Sequence, residues 1–307
     1  MNTHRRVRAF GGYTTDPATK VFLAHRNLLF TIAYEMLGSA ADSEDVLQET
    51  WLRWSRIGVA QVSDERAYLV RITTRQALNR LRTMNRRKES YVGSWLPEPL
   101  ITAPDVAEDV ELAESISMAL MLVLETLSPT ERAVFVLREV FDISYDEIAA
   151  AVDKTPAAVR QIAHRARRHV DARRSRASVS ASQIRVVLES FQRALQAGDP
   201  QGLLDVLAPE VVPIGDGGGI KQAVPQPITG SDKVTRFMLG GIRKHNVTFT
   251  SELTMVNGSP ALIFRIDGEI DGIMAVRLED GRITGLYFVR NPEKLTRVES
   301  ETPLSLR

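Results

Sequence analysis

The 307-residue sequence predicts a multidomain protein: two all-α modules, the second a helix-turn-helix, followed by an α+β domain with a curved antiparallel sheet. Three observations predict it. Apolar residues recur at helical spacing from about 17 to 170, with repeated N-capping signals. Residues 144–170, SYDEIAAAVDKTPAAVRQIAHRARRHV, fit two short helices across a tight turn, with a basic face on the second. From Val247 the apolar period becomes 2, and the runs are broken by Asn257-Gly258 and Glu279-Asp280-Gly281. Helices first and strands afterwards mark an α+β domain.

Each element follows from local chemistry. A helix over 18–37 places Val21, Leu28, Leu29, Ile32, Ala33 and Met36 on its apolar side, and Gly38 closes it. Asp42 reads as the next N-cap, with Ser43-Glu44-Asp45 in a first turn where negative charge suits the helix dipole. That helix, about 43–56, presents Val46, Leu47, Thr50, Trp51 and Trp54. After a loop without aromatic residues, a third helix over 66–87 carries Arg71, Arg75, Arg80, Arg82, Arg86 and Arg87 on its outer side. The prolines of Gly93-Ser94-Trp95-Leu96-Pro97-Glu98-Pro99 forbid a helix there. An acidic linker follows, then a helix over 106–127. Ser128-Pro129-Thr130-Glu131 is a capping box opening a helix over 131–141.

Ser144 and Glu147 form a second capping box. Asp153-Lys154 breaks the pattern, and Thr155 caps the next helix with Pro156 at its first position. Val159, Ala163, Ala166 and Val170 face inward. Arg160, Gln161, His164, Arg165, Arg167 and Arg168 are left outward or flanking. Arg pairs with guanine edges and Gln with adenine, so this is the build of a DNA-reading helix. The alternative is a solvated basic helix end. A Ser/Ala-rich basic connector over 173–182 precedes helices at 184–197, 203–207 and 232–244. Gly215-Asp216-Gly217-Gly218-Gly219 reads as a tight turn.

With 44% apolar residues the chain can build real cores, and without cysteine it has no disulfide, thiolate zinc site or cysteine nucleophile. No run of 18 apolar residues exists, so a soluble cytoplasmic protein without membrane association is expected. The net charge of +1 conceals asymmetry: +6 over 1–92, −7 over 93–126 and +3 over 127–178. Two basic blocks flanking an acidic one give two separate places that attract phosphate.

The helical part resembles the bacterial RNA polymerase sigma factors of the extracytoplasmic-function class, over about 17–92 and 110–170. Asp42-Ser43-Glu44-Asp45-Val46-Leu47-Gln48-Glu49-Thr50-Trp51 is similar to the family's stretch that docks on the polymerase clamp. The resemblance implies polymerase binding through Asp42, Glu44, Asp45, Gln48, Glu49 and Trp51. Residues 67–82, AYLVRITTRQALNRLR, resemble its helix for the promoter −10 element. Arg71, Arg75, Asn79, Arg80, Arg82, Arg86 and Arg87 are the implied contacts. Leu127-Ser128-Pro129-Thr130-Glu131-Arg132 resembles the start of its −35 module, reached near the polymerase flap. There Thr155, Arg160, Gln161, His164, Arg165, Arg167 and Arg168 are the implied contacts. The family has Gly where this chain has Asp153, a residue that also visits the left-handed region, and a basic residue in place of Ile162.

Residues 183–295 resemble a SnoaL-like domain, an α+β cone with one curved sheet. Trp95-Leu96-Pro97-Glu98-Pro99, Asp216-Gly217-Gly218-Gly219-Ile220-Lys221 and Asn291-Pro292-Glu293-Lys294-Leu295 together resemble the SigJ-like subgroup, with the Lys of the middle motif displaced by one. In that subgroup the extension is thought to regulate the sigma factor from within. The implied organisation is 17–92 as sigma region 2, 93–109 as linker, 110–172 as sigma region 4, 173–182 as connector, 183–295 as regulatory domain and 296–307 as tail.

Promoter recognition needs no catalytic side chain, cofactor or metal in this chain. The partners implied are RNA polymerase core and promoter DNA, with an unidentified small molecule in the cone as a further possibility. The competing class is a cyclase- or isomerase-type enzyme or a ligand sensor fused to a DNA-binding module. Its candidate acids are Asp216, Glu252, Asp267, Glu269 and Asp271, and His245 is the only histidine of that domain. Trp95 and Leu96 are expected to dock on the C-terminal domain near 216–219 or 291–295, the alternative being packing against the 17–92 helices.

Overall fold

A computed structural model describes residues 16–57, 59–103, 106, 110–173, 179–224, 228–245 and 249–306. The first three helices are α1 (Pro17–Leu37), α2 (Ala40–Trp54) and α3 (Glu65–Lys88). Gly38 ends α1 in the left-handed conformation, as its position predicts. Helix α2 starts earlier than expected. Its N-cap is Ser39, not Asp42. The free N–H groups of Ala40 and Ala41 are met by the Glu98 carboxylate at 2.7 and 3.3 Å, so a residue far along the chain completes the cap.

The helix expected over 106–127 is broken into α4 (Val110–Ser115) and α5 (Met118–Leu124). Ser117 adopts extended geometry and caps α5 through Leu120 N–H. The helix expected over 131–141 divides into α6 (Pro129–Phe135) and a five-residue π turn, Val136–Val140. Helices α7 (Tyr145–Val152) and α8 (Pro156–Asp171) follow, with Asp153 in the left-handed conformation between them at φ 56°. The helical modules share one core. Leu28, Leu29, Tyr34, Trp54 and Leu69 join Leu124, Phe135, Ile148 and Val159 in it.

The remainder comprises α9 (Ala181–Ala197), α10 (Pro200–Val206), β1 (Leu207–Asp216), α11 (Ser231–His245), β2 (Phe249–Val256), β3 (Ser259–Ile266), β4 (Glu269–Glu279) and β5 (Arg282–Val289). The sheet order is β1-β5-β4-β3-β2: the strands from 249 onward are antiparallel, as expected, and the additional β1 pairs with β5 in parallel, which makes the sheet mixed. Strand β1 carries Pro209 and Pro213, residues a strand accepts at a sheet edge, where it lies. Gly215 and Asp216 end this strand rather than forming a turn. The three hairpins turn on Asn257-Gly258, Asp267-Gly268 and Asp280-Gly281, each with two positive φ values, as type I′ turns require.

Both faces of this sheet are buried. Leu262, Phe264, Met274 and Leu286 face α9 and α11. On the other face, Ala261, Ile263, Ile273, Ala275 and Tyr287 pack with Leu96 and Met118. The segment 95–102 therefore runs between the helical modules and the sheet, and its Ile101 bridges Val256 of β2. The chain end returns as well: Leu304 and Leu306 pack on the helical core, and Ser305 N–H donates to Thr31 Oγ1 at 3.0 Å.

Asn257 ties these parts together. It is 1% exposed. Its Oδ1 accepts from Leu100 N–H at 2.9 Å, and its Nδ2 donates to Tyr34 Oη at 2.7 Å and Ile116 O at 2.9 Å. Asn257→Ala removes these bonds, leaves Leu100 N–H buried without its side-chain acceptor, and should lower stability by about 2–4 kcal/mol. Asp267→Ala, in an exposed turn of the same kind, should cost clearly less. Urea midpoints of the two variants check this.

Candidate nucleic-acid interface and interdomain lock

Helix α8 buries Val159, Ala163, Ala166 and Val170 and exposes Arg160, Gln161, His164, Arg165, Arg167 and Arg168. Thr155, also exposed, accepts from Ala158 N–H at 3.2 Å. Three arginines of α8 are oriented from within the module. Arg165 pairs with Glu131 at 2.8 Å, Arg167 pairs with Glu139 at 2.5 Å, and the Arg160 guanidinium lies 5.5 Å from the Tyr145 ring centre. Hydrogen bonding to Ser128 and the charge of Arg165 hold Glu131 below the usual carboxylate range.

The residues assigned by resemblance to the −10 element lie on α3. Arg82 and Arg86 are exposed, as is Asn79, which accepts from Arg82 at 3.3 Å. Arg71 stacks over the Tyr68 ring at 4.9 Å. The Arg87 side chain lies outside the described residues. Two members are engaged inside the molecule. Arg75 donates to Ala150 O at 2.8 Å and Ala151 O at 3.3 Å, at the C-terminal end of α7, where the helix dipole favours a cation. Arg80 pairs with Asp42 at 2.5 Å and Asp45 at 2.7 Å.

Those two acids are among the α2 residues assigned to polymerase docking. Glu44 is held by Arg26 at 2.8 Å, with Arg297 at 3.5 Å, and Glu49 accepts from Gln76 at 2.9 Å. Gln48 is exposed, and Trp51 is half-buried against the Phe22 ring at 5.3 Å. The structure thus joins the acidic side of α2 to the basic side of α3.

The third set forms a lock around Asp216, whose exposure is 0%. Its carboxylate accepts from Tyr91 Oη at 2.6 Å, Leu96 N–H at 2.9 Å, Lys294 Nζ at 2.7 Å and Gly218 N–H at 3.1 Å. Lys294 also donates to Leu96 O at 2.5 Å and sits 3.2 Å from the centre of the Trp95 ring. Burial pushes the Lys294 ammonium below its ordinary value, against the pull of Asp216. Asn291 reaches Tyr91 Oη at 2.8 Å and caps the turn Pro292–Lys294 through Glu293 N–H. Leu295 joins Leu96 in the sheet-side core. Pro97 and Pro99 are buried in the same extended segment.

The glycine run has a steric reason. A Cβ on Gly217 would lie 1.8 Å from Lys221 O, and one on Gly218, at φ 64°, would lie 2.4 Å from the Asn291 side chain. Trp95 and Leu96 point to opposite sides. The Trp95 ring packs on the helical core while Lys294 covers its face, so both readings of this residue describe part of its contacts.

Sequence reasoning missed several residues of this region. Tyr91 and Glu35 carried no signal of their own in the sequence, and Arg132 was read only as the last residue of the stretch resembling the start of the −35 module. Arg132, 1% exposed, donates to Glu35 O at 3.0 and 2.9 Å and to Glu125 at 2.5 Å, with Lys88 on the other Glu125 oxygen. Arg132 and Lys88 outweigh burial and hold Glu125 below the usual carboxylate range.

The candidate acids of the enzyme reading are dispersed. Glu252, Asp267 and Glu269 are exposed, and Asp216 is consumed by the lock. Asp271 lines the cone's cavity but is paired with Lys221 at 3.1 Å and Arg290 at 2.8 Å. The side chain of His245 lies outside the described residues. Among the described residues no group of three metal-ligating side chains forms, and no helix is long and apolar enough to cross a membrane.

Comparison with known proteins shows the family and the fold. Residues 21–87 match the family described as Sigma-70 region 2, and residues 117–170 match Sigma-70, region 4. The chain is similar to the ECF RNA polymerase sigma factor SigJ of Mycobacterium tuberculosis (strain ATCC 25618 / H37Rv). They are 34% identical over 288 residues, 90% of this chain and 92% of that protein. It is similar to the probable ECF RNA polymerase sigma factor SigI of Mycobacterium tuberculosis (strain CDC 1551 / Oshkosh), 32% identical over 289 residues, 93% and 97% of the two chains. The crystal structure of Mycobacterium tuberculosis SigJ has a TM-score of 0.73 to this fold at 32% identity, covering 93% of this chain and 99% of that one.

Glu35 lies where α1 meets α4 and α6. Its carboxyl, fully buried, is pushed up to about 8 by desolvation, with Ser115 and Arg132 pulling the other way. The folded chain holds this proton more tightly than the unfolded chain does. Its contribution to stability is therefore full below pH 4.5 and is lost as pH rises through about 8. Glu35→Gln should remove that loss. It should stabilise the chain by about 1–3 kcal/mol near pH 9 and change little near pH 5. Urea unfolding across this range checks it, and a profile parallel to wild type would assign the titration elsewhere.

Proposed function

Because this chain belongs to the extracytoplasmic-function RNA polymerase sigma factors, we propose that α2 docks on core polymerase, α3 engages the −10 element and α8 reads the −35 element. We propose further that the C-terminal domain governs access to them through the lock on the linker. The observation that carries the reading is the pairing of Arg75 with the carbonyls of Ala150 and Ala151. It joins the −10 helix directly to the −35 module.

Geometry makes that joined form incompatible with promoter engagement. Two elements about 25 base pairs apart are separated by about 85 Å along B-form DNA at 3.4 Å per pair. Helix α3 and the module containing α8 are in contact, so they cannot address both elements until they separate. Arg80 is held separately, within the 17–92 module, by Asp42 and Asp45, so of the −10 set it is Arg75 whose partners depend on contact with the −35 module. The linker lies at the pivot, and Lys294 and Asp216 hold it to the C-terminal domain.

Base reading by α8 has a specific signature. Arg160→Ala or Arg165→Ala should weaken −35 binding by about 1–3 kcal/mol and relax preference at one position. Arg173→Ala, near the exposed end of α8, should weaken binding to all sequences and reduce the salt dependence. Equal, sequence-blind losses from all three would show that α8 touches only phosphates.

Regulation by the lock is tested in the full-length chain. Lys294→Met alone strands a buried carboxylate, so it is combined with Asp216→Asn to keep the site neutral. With core polymerase and promoters selected from a random library, the double variant should give several-fold more transcript at limiting protein. A yield at or below wild type, from a variant of unchanged melting temperature, overturns the regulatory reading. If wild type and variant both give no promoter-specific transcript, the promoter reading itself fails.

A further inference from the structure

The cone of the C-terminal domain holds a partly open cavity of about 730 Å³ between its sheet and α11. That volume is typical of small-molecule sites. Its wall is apolar. Phe249 and Phe264 stack at 6.4 Å, Phe264 meets Phe288 edge-on at 5.4 Å, and Met274, Leu286 and Ile242 complete the lining. Such a surface wants an apolar body.

One region of the lining is charged, and the balance there is positive. Lys221 and Arg290 both bond a single oxygen of Asp271, at 3.1 and 2.8 Å. Two cations therefore share one carboxylate. They outweigh the effect of burial and hold Asp271 below the usual carboxylate range, so it stays ionised. Arg290 also donates to Gln222 O, and its Nε–H is buried without a partner among the described residues. A buried donor without an acceptor is destabilising, and a ligand oxygen would satisfy it. A guanidinium in this state is prepared for a second carboxylate, since its planar fork matches that group. The acids that would make the cone an enzyme are exposed or occupied elsewhere, so the arrangement suits binding without turnover.

We propose that this cavity is a binding site for an apolar monocarboxylic acid, its body against Phe249, Phe264 and Phe288 and its carboxylate on Lys221 and Arg290. The inference concerns a site outside the polymerase and promoter contacts and does not depend on them.

The test uses the full-length chain and calorimetric titration. The probes are dodecanoate, palmitate and 2-naphthoate, each paired with the alcohol of the same skeleton. At least one acid should bind one-to-one, about tenfold tighter than its alcohol. In the combined Lys221→Met, Arg290→Met, Asp271→Asn variant, in which no carboxylate is left unpaired in the site, that preference should fall to within about twofold. Met274→Trp, which fills the cavity without altering a charged residue, should abolish binding of acid and alcohol alike with the melting temperature preserved. The proposal is overturned if no acid of the panel binds below millimolar concentration. It is overturned equally if alcohols bind as well as acids to wild type, if the preference survives loss of both cations, or if folded Met274→Trp still binds.

Discussion

The burial of one carboxylate organises the junction of this molecule. Asp216 has no contact with water, so it must be met by donors from its surroundings. One comes from its own turn, one from Lys294, and two from the stretch that joins the helical modules, Tyr91 and Leu96. Satisfying the charge thus requires the linker to lie against the domain. The requirement spreads outward. Gly217 and Gly218 must lack side chains for the turn to close on Lys221 and Asn291. Arg290 and Asn291 both give their backbone N–H groups to Asp216 O, which fixes the turn carrying Lys294.

The sheet shows the same dependence on a larger scale. Antiparallel sheets commonly leave one face to water and alternate accordingly. Here Leu262 and Ile263, successive residues of β3, are both buried, one toward α9 and one toward the linker. The outer face is covered by Leu96, Met118, Leu295 and Val298. Exposed, those residues and their partners would form a contiguous apolar patch of the kind that marks an interaction surface. The interaction is within the chain. The C-terminal domain is therefore packed into the molecule rather than appended to it, and Leu304 and Leu306 return from beyond it to the helical core.

Local signals were legible, and distant ones were not. The Ser144–Glu147 box, the left-handed Asp153 and the Thr155 cap follow from side chains within four residues of the groups they satisfy. The outward set on α8 follows from the 3.6-residue period alone. The start of α2 carried a local signal, the N-cap Ser39, three residues before the Asp42 that was read as the cap; only the Glu98 carboxylate that meets Ala40 N–H from 58 residues away lay beyond local reading. Strand β1 was missed because Pro209 and Pro213 argue against a strand unless its edge position is known. The break at Ser117 had a signal, an N-cap residue, inside a stretch whose apolar content suggested continuity. The partners of Arg75 and Arg80 were invisible for the same reason as Glu98: they come from other helices. The three motifs around 95–99, 216–221 and 291–295 could be recognised singly, but their convergence on Asp216 is a tertiary fact.

The lock combines two kinds of contact that differ in what opening costs. Separating the apolar outer face from Leu96 and Met118 returns nonpolar surface to water, at about 25 cal/mol per Å². Separating Lys294 from Asp216 exposes both charges to water, which restores the solvation that burial removed and offsets much of the lost attraction. Ion pairing therefore contributes more to choosing this arrangement than to making it irreversible. The linker remains covalently attached on both sides, so the separated parts stay at high effective concentration and re-form without a bimolecular step. An interface built from apolar burial alone would be harder to open. One built from surface ion pairs alone would close in many registers. A buried, fully bonded charge at the centre of an apolar contact favours a single register.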